Sequence, residues 1–169
     1  MTTYIGLDFE YANKFKGSIC AYGLAFMDGT QEHGFVKLHE DFPIQEHRRW
    51  NGISQEETDG GMHFIELYER LASLEDDVVL VAHDLKSDRR AWLAAQQAFG
   101  LAKLKLTWVD ALPIARTSIG RNKRTGGGGV KMMADFYGMK ITHHNPADDA
   151  LVSLEVIKRN PQKFNLVKD

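Results

Sequence analysis

The segment Val78-Val79-Leu80-Val81-Ala82 constrains the fold of this chain more than any other stretch. It is a short apolar run without alternation, bounded on its N-terminal side by Asp77. A strand with one solvated face alternates apolar and polar side chains. A continuous run is typical of a central strand covered on both faces. Such a strand needs helices on both sides of its sheet.

The flanking pattern supplies the remaining elements. Tyr4 to Asp8 reads as a strand, and Ser18 to Met27 and His33 to Leu38 read as two more, joined around Asp28-Gly29-Thr30. The first third is therefore expected to be an antiparallel meander. Ser54-Gln55-Glu56-Glu57 has the capping-box form, and Phe64, Leu67, Tyr68 and Leu71 follow at helical spacing. A helix is expected from about Ser87 to Phe99, a strand from Leu104 to Val109 and a short helix from Val130 to Tyr137, stopped by Gly138. The last helix spans Asn145 to Lys158 and ends before Pro161. These elements give an α/β fold. Its mixed sheet has five strands, the first three antiparallel and the rest parallel, flanked by helices. With 169 residues and neither a repeat nor a linker, one domain over 1–169 is expected.

Charge and cysteine content exclude some classes. Lys plus Arg number 21 against 23 acidic residues, so any nucleic-acid partner must be held by a local basic patch or by bound cations. The single cysteine, Cys20, can form neither an internal disulfide nor a thiolate zinc site. No run approaches the ~20 apolar residues of a membrane span. Asp8 and Glu10 interrupt the first apolar run, which argues against a signal peptide. The expectation is a cytoplasmic protein with no membrane partner. The segment from Thr117 to Gly129 is irregular, with Arg121, Lys123 and Arg124 ahead of four glycines. It reads equally as a surface loop or as a basic flap that grips phosphates.

Several acids and a histidine sit awkwardly in these patterns. Alternate strand residues share a face, so Asp8 and Glu10 lie together, about 7 Å apart along a strand rising ~3.3 Å per residue. Asp88 extends the stripe of Trp92, Ala95 and Phe99 toward the start of its helix, as a cap or as an inward-pointing ligand. Pro146 fits a first helical turn. Asp149 would then project beside Val152 and Val156, with Asp148 facing outward and His144 just before the helix. Each feature alone has a bland reading as a strand end, a helix cap or a surface turn.

In order and spacing they resemble the DEDDh family of 3′–5′ exonucleases, of the proofreading epsilon-subunit type of bacterial DNA polymerase III. Asp8-Phe9-Glu10 matches D-x-E. Ala82-His83-Asp84 followed by Asp88 matches A-H-N-x-x-x-D, and His144 with Asp149-Ala150 matches H-x-x-x-x-D-A. Gly52-Ile53-Ser54 and Asp110-Ala111-Leu112-Pro113-Ile114-Ala115-Arg116 are lesser matches, and the likeness spans Tyr4 to Ile157. Tyr11 stands where many relatives have threonine, Asp84 replaces asparagine, and Asn51 stands where histidine is frequent.

The resemblance implies an RNase H-like fold and two divalent cations, Mg²⁺ or Mn²⁺. By analogy Asp8 would bridge both ions, Glu10 and Asp149 would complete one site, and Asp88 would help hold the other. His144 would take a proton from the attacking water. The Phe9 backbone, Trp50, Ile53 and His83 would contact the terminal nucleotides, while Arg121, Lys123 and Arg124 are the phosphate candidates that the flap itself offers. The expected activity is removal of nucleoside 5′-monophosphates from single-stranded DNA 3′ ends, with RNA and a partner DNA polymerase as further possibilities. Two rival readings stay open: a nucleic-acid-binding, polymerase-associated module with vestigial activity, and a small-molecule phosphoesterase.

Overall fold

A computed structural model describes residues 2–74, 77–119, 127–142, 144–161 and 165–169. Its sheet is built around β1 (Thr3–Tyr11), which pairs antiparallel with β2 (Ile19–Ala25). β3 (Gln31–Phe35) continues the meander on the far side of β2. After three helices, α1 (Arg48–Asn51), α2 (Gln55–Asp59) and α3 (Phe64–Ala72), the chain returns as β4 (Val78–Ala82), parallel to β1. Helix α4 (Leu85–Ala98) leads to β5 (Thr107–Asp110), parallel to β4. Helices α5 (Ala111–Ser118), α6 (Val130–Tyr137) and α7 (Pro146–Arg159) follow. A last strand, β6 (Leu166–Lys168), pairs antiparallel with β5. The strand order is β3-β2-β1-β4-β5-β6. Among the described residues no helix is long and apolar enough to cross a membrane.

Among the described residues the sheet has six strands where the sequence pattern predicts five. β6 is a three-residue segment in which only Val167 is partly covered, so no periodicity marks it. Tertiary contacts fix it instead: Trp108 Nε1 and Arg89 Nε donate to the Asp169 carboxylate at 2.8 and 2.6 Å. Helix α5 is likewise hidden, because Pro113 sits in its first turn and reads as a breaker. Proline is tolerated there because first-turn amides have no intrahelical acceptor. Asp110 caps that helix by accepting from Leu112 N–H at 3.0 Å.

β4 is covered on both faces, as its composition requires. Leu80 and Ala82 join Leu7, Phe9, Phe64, Leu67 and Trp92 in one core, under α3 and α4. Val79 and Val81 join Val109, Val152 and Val156 in the other, under α5, α6 and α7. The Ser54 capping box forms as expected, and Gly138 ends α6 in the left-handed conformation.

Helix α7 lies unusually close to the sheet. A Cβ built on Gly6 would fall 2.1 Å from the Ala150 carbonyl oxygen, and one on Gly23 would fall 2.1 Å from the Pro146 carbonyl carbon. Only glycine admits main chain to main chain at that range, and a backbone cannot yield as a side-chain tip does. Gly23→Ala should therefore push the start of α7 off the sheet. Overpacking typically costs about 1–3 kcal/mol, so urea unfolding should show a loss of that size or more. Wild-type stability in this variant would show that α7 is not seated as described.

Candidate active site

The close approach of α7 decides where the acids meet. Gly6, Asp8 and Glu10 share the β1 face that carries α7, while Ile5, Leu7 and Phe9 enter the opposite core. Asn145 caps α7 by accepting from Ala147 N–H at 3.0 Å and Asp148 N–H at 3.4 Å, with Pro146 as the first helical residue. One turn in, Asp149 faces β1. Carboxylate oxygens of Asp8, Glu10 and Asp149 all lie within 4.8 Å of one another. Asp148 turns away, accepting from Thr142 N–H at 2.8 Å.

Asp88 reaches the same region from the other face. β1 pairs with β4 only from Thr3 to Gly6 and then runs on beyond it. Asp88, only 3% exposed, fills the space beside this overhang and engages the Phe9 main-chain amide. The Tyr11 hydroxyl donates to Asp88 Oδ1 at 2.7 Å. A β-bulge between Glu10 and Tyr11 breaks the regular pairing at this point, a frequent feature beside functional sites. Asp88 is outside the Asp8–Glu10–Asp149 triangle, yet its charge acts on Asp8.

These acids resist ionisation. Burial holds the Asp8 carboxyl well above the usual range, and the charges of Asp88, Asp149 and Glu10 add to that. Glu10 is pushed up to about 7 by burial and then by Asp149. Burial also pushes Asp88 up to about 7, against the opposing effect of its Tyr11 and Phe9 hydrogen bonds. Burial and the charge of Asp88 raise the Tyr11 phenol as well, so it remains a donor. Three converging carboxylates with a fourth alongside, and no thiolate among them, suit hard divalent cations that prefer oxygen ligands.

His144 has φ 62, and its Nδ1 lies 3.7 Å from Glu10 Oε1, with 42% of the side chain exposed. It opens onto a cleft of about 780 Å³ lined also by His83, Arg116, Lys131 and Asp149. Both His83 ring nitrogens are buried, and burial lowers its pKa, offset in part by Asp110. Trp50 is 64% exposed, with the His47 ring edge-on to it at 4.9 Å. Ile53 is buried at 5% beside Ala12, Cys20 and Ala21, so its side chain is packed rather than presented. The Phe9 ring is equally covered, stacked on Trp92 at 6.0 Å. Asn51 has a structural task, donating to the Tyr11 carbonyl at 3.0 Å. Arg121, Lys123 and Arg124 lie outside the described residues.

No family model matches the sequence, and no curated protein matches it. Solved structures do match the fold. A crystal structure of cell-death related nuclease 4 superposes with a TM-score of 0.74 at 14% identity, covering 100% of this chain and 67% of that one. The nuclease domain of 3′hExo, a DEDDh family member bound to rAMP, gives 0.71 at 14% identity over 98% and 96% of the two chains. Exonuclease X in complex with 5′ overhanging duplex DNA gives 0.66 at 13% identity over 95% and 94%. The fold is that of RNase H-like exonuclease domains.

The raised carboxyl groups set a pH dependence with a definite sign. Between the unfolded-state values near 4 and the folded value of about 7 for Glu10 and Asp88, the folded chain holds more protons than the unfolded one. Their contribution to stability is full below pH 4 and is lost as pH rises through 7. Without divalent ions the melting temperature should fall from pH 5 to pH 8. Saturating Mg²⁺ or Mn²⁺ should raise it most at the higher pH, because a cation replaces the missing protons. Calorimetric melts with EDTA and with metal check this; equal slopes in both would mean that the acids do not bind ions.

Proposed function

We propose that this chain is a metal-dependent 3′–5′ exonuclease releasing nucleoside 5′-monophosphates from single-stranded DNA, and from RNA as a secondary substrate. The observation that carries the reading is the meeting of Asp8, Glu10 and Asp149 within 4.8 Å, with His144 Nδ1 3.7 Å from Glu10. The fold supports it, since proteins described as nucleases and exonucleases share it. Among them, one is solved with DNA and another with a ribonucleotide.

In this reading Asp8, Glu10 and Asp149 would hold one divalent cation, and Asp88 would help hold a second. Such a pair would supply activation of the attacking water and charge stabilisation of the leaving oxygen. The protein's own groups do the rest. His144 stands outside the helix on an exposed segment, where a neutral imidazole can take the proton of an incoming water. Its left-handed backbone is a strained setting of the kind that clusters at functional sites. Tyr11 keeps Asp88 oriented through its hydroxyl. Arg116, Lys131 and His83 line the cleft that receives the end of the strand.

Strands labelled at the 5′ end and incubated with Mn²⁺ or Mg²⁺ should shorten stepwise from the 3′ end. His144→Ala should lower the rate by about 10²- to 10⁴-fold, the usual weight of a general base. The metal-induced rise in melting temperature should persist in that variant. Asp149→Asn should lose both. Binding without shortening would favour a non-catalytic module, and wild-type rates in His144→Ala would remove the histidine from the chemistry.

A further inference from the structure

The acid cluster has a second neighbour. Tyr11, whose hydroxyl meets Asp88, also lines a cavity of about 250 Å³ between the β1–β2 turn and α4. Lys14, Lys16 and Arg90 line it together with Phe15 and His47. No carboxylate is among its described lining residues, in a chain of net charge -2.

The turn that carries these groups is pinned. Asn13 is 5% exposed, and its side-chain amide donates to the carbonyls of Phe42 and Ile44 at 3.2 and 2.9 Å. Asn13 Oδ1 accepts from Phe15 N–H at 3.0 Å, and Ser18 Oγ donates to the Asn13 carbonyl at 3.1 Å. Gly17 lies so close to α4 that a Cβ there would be 3.0 Å from Ala95 N. The outcome is a fixed tip on which Lys14, Phe15 and Lys16 are all exposed. The Phe15 ring, 49% exposed, stacks on Phe42 at 5.7 Å and has Lys14 Nζ 5.7 Å from its centroid. Trp50, meeting His47 edge-on, places a second exposed ring near the cavity wall.

Cations beside a rigidly held, solvent-facing ring suit a strand that carries phosphates and bases together. The cations hold the backbone, and a ring face accepts any base. An acidic peptide would use the lysines and leave Phe15 idle. We propose that this cavity seats the part of a single-stranded nucleic acid upstream of the bond being cut, with a backbone phosphate among Lys14, Lys16 and Arg90 and the adjoining base on Phe15. The proposal rests on the exonuclease reading, because Tyr11 makes the cavity and the acid cluster neighbours.

Fluorescence anisotropy with a 5′-labelled oligothymidylate of hydrolysis-resistant linkages tests it. Lys14→Ser/Lys16→Ser should weaken binding about tenfold at low salt. The slope of log K against log salt should shrink by about 1.4, for two single-strand contacts at ~0.7 each. Phe15→Ala should weaken binding at least about fivefold, the lower end of a base–aromatic stack. Lys105→Ser/Lys158→Ser removes equal charge at the opposite ends of β5 and α7, and should bind as wild type. Wild-type affinity and slope in Lys14→Ser/Lys16→Ser, or no binding by the wild-type protein, would overturn the proposal. Shortening of an ordinary strand with Mn²⁺ is scored separately. Shortening with Lys14 and Lys16 immaterial removes the subsite alone. Binding through them without shortening keeps the strand seat and removes the hydrolase reading.

Discussion

Everything at the site depends on how closely α7 can approach the strands beneath it. Gly6 and Gly23 present bare main chain to the first turns of α7, at a range where any Cβ would collide with backbone. That contact sets the height of Asp149 above Asp8 and Glu10. The three carboxylates thus converge through the positions of a strand and a helix, not through the reach of flexible side chains. Burial of the carboxyls, and after it their mutual repulsion, opposes this seating, as the raised pKa values of Asp8 and Glu10 show. Val152, Leu154 and Val156 on the same helix are fully buried against the sheet. Removing each large apolar side chain from water contributes roughly 1.5–3 kcal/mol, which favours the seated helix.

The elements legible in the sequence are those whose signal is local. The unbroken run at Val78–Ala82 forms the doubly covered strand, Ser54 and Glu57 close a capping box, and Gly138 stops α6. What escapes is what long-range contacts decide. Helix α1 is four residues long, below the length at which a 3.6 period can be read. Helix α5 carries its proline where a first turn tolerates one. β6 exists because Asp169 binds Trp108 and Arg89, partners 61 and 80 residues away.

The site divides along the same line. Period-two alternation puts Asp8 and Glu10 together, and helical spacing turns Asp88 and Asp149 inward. No local pattern reveals the Tyr11–Asp88 hydrogen bond, which joins residues 77 apart. In motif terms Tyr11 is merely a departure from threonine; in three dimensions it is a donor that fixes an acid. Exposure is equally hidden. Ile53 and Trp50 are both contacts by resemblance, yet Ile53 is packed whereas Trp50 stands 64% exposed. Lys14-Phe15-Lys16 lies beside the D-x-E motif, yet only the Asn13 and Ser18 hydrogen bonds show that this tip is held in place.

A net charge of -2 ought to discourage a polyanion, and near the acids it does. Global charge is the wrong measure at physiological ionic strength, where the Debye length is ~8 Å and each patch acts almost alone. The acids gather in one cluster. Arg116 and Lys131 line the cleft on one side, and Lys14, Lys16 and Arg90 line the cavity on the other. In the proposed function, a strand drawn by those cations would still have to pass the carboxylates. Bound divalent ions would reverse the sign of that middle ground, so the cations that serve hydrolysis in the proposed function would also admit the substrate. In such an arrangement metal binding and strand binding are thermodynamically linked, each strengthening the other by the same factor.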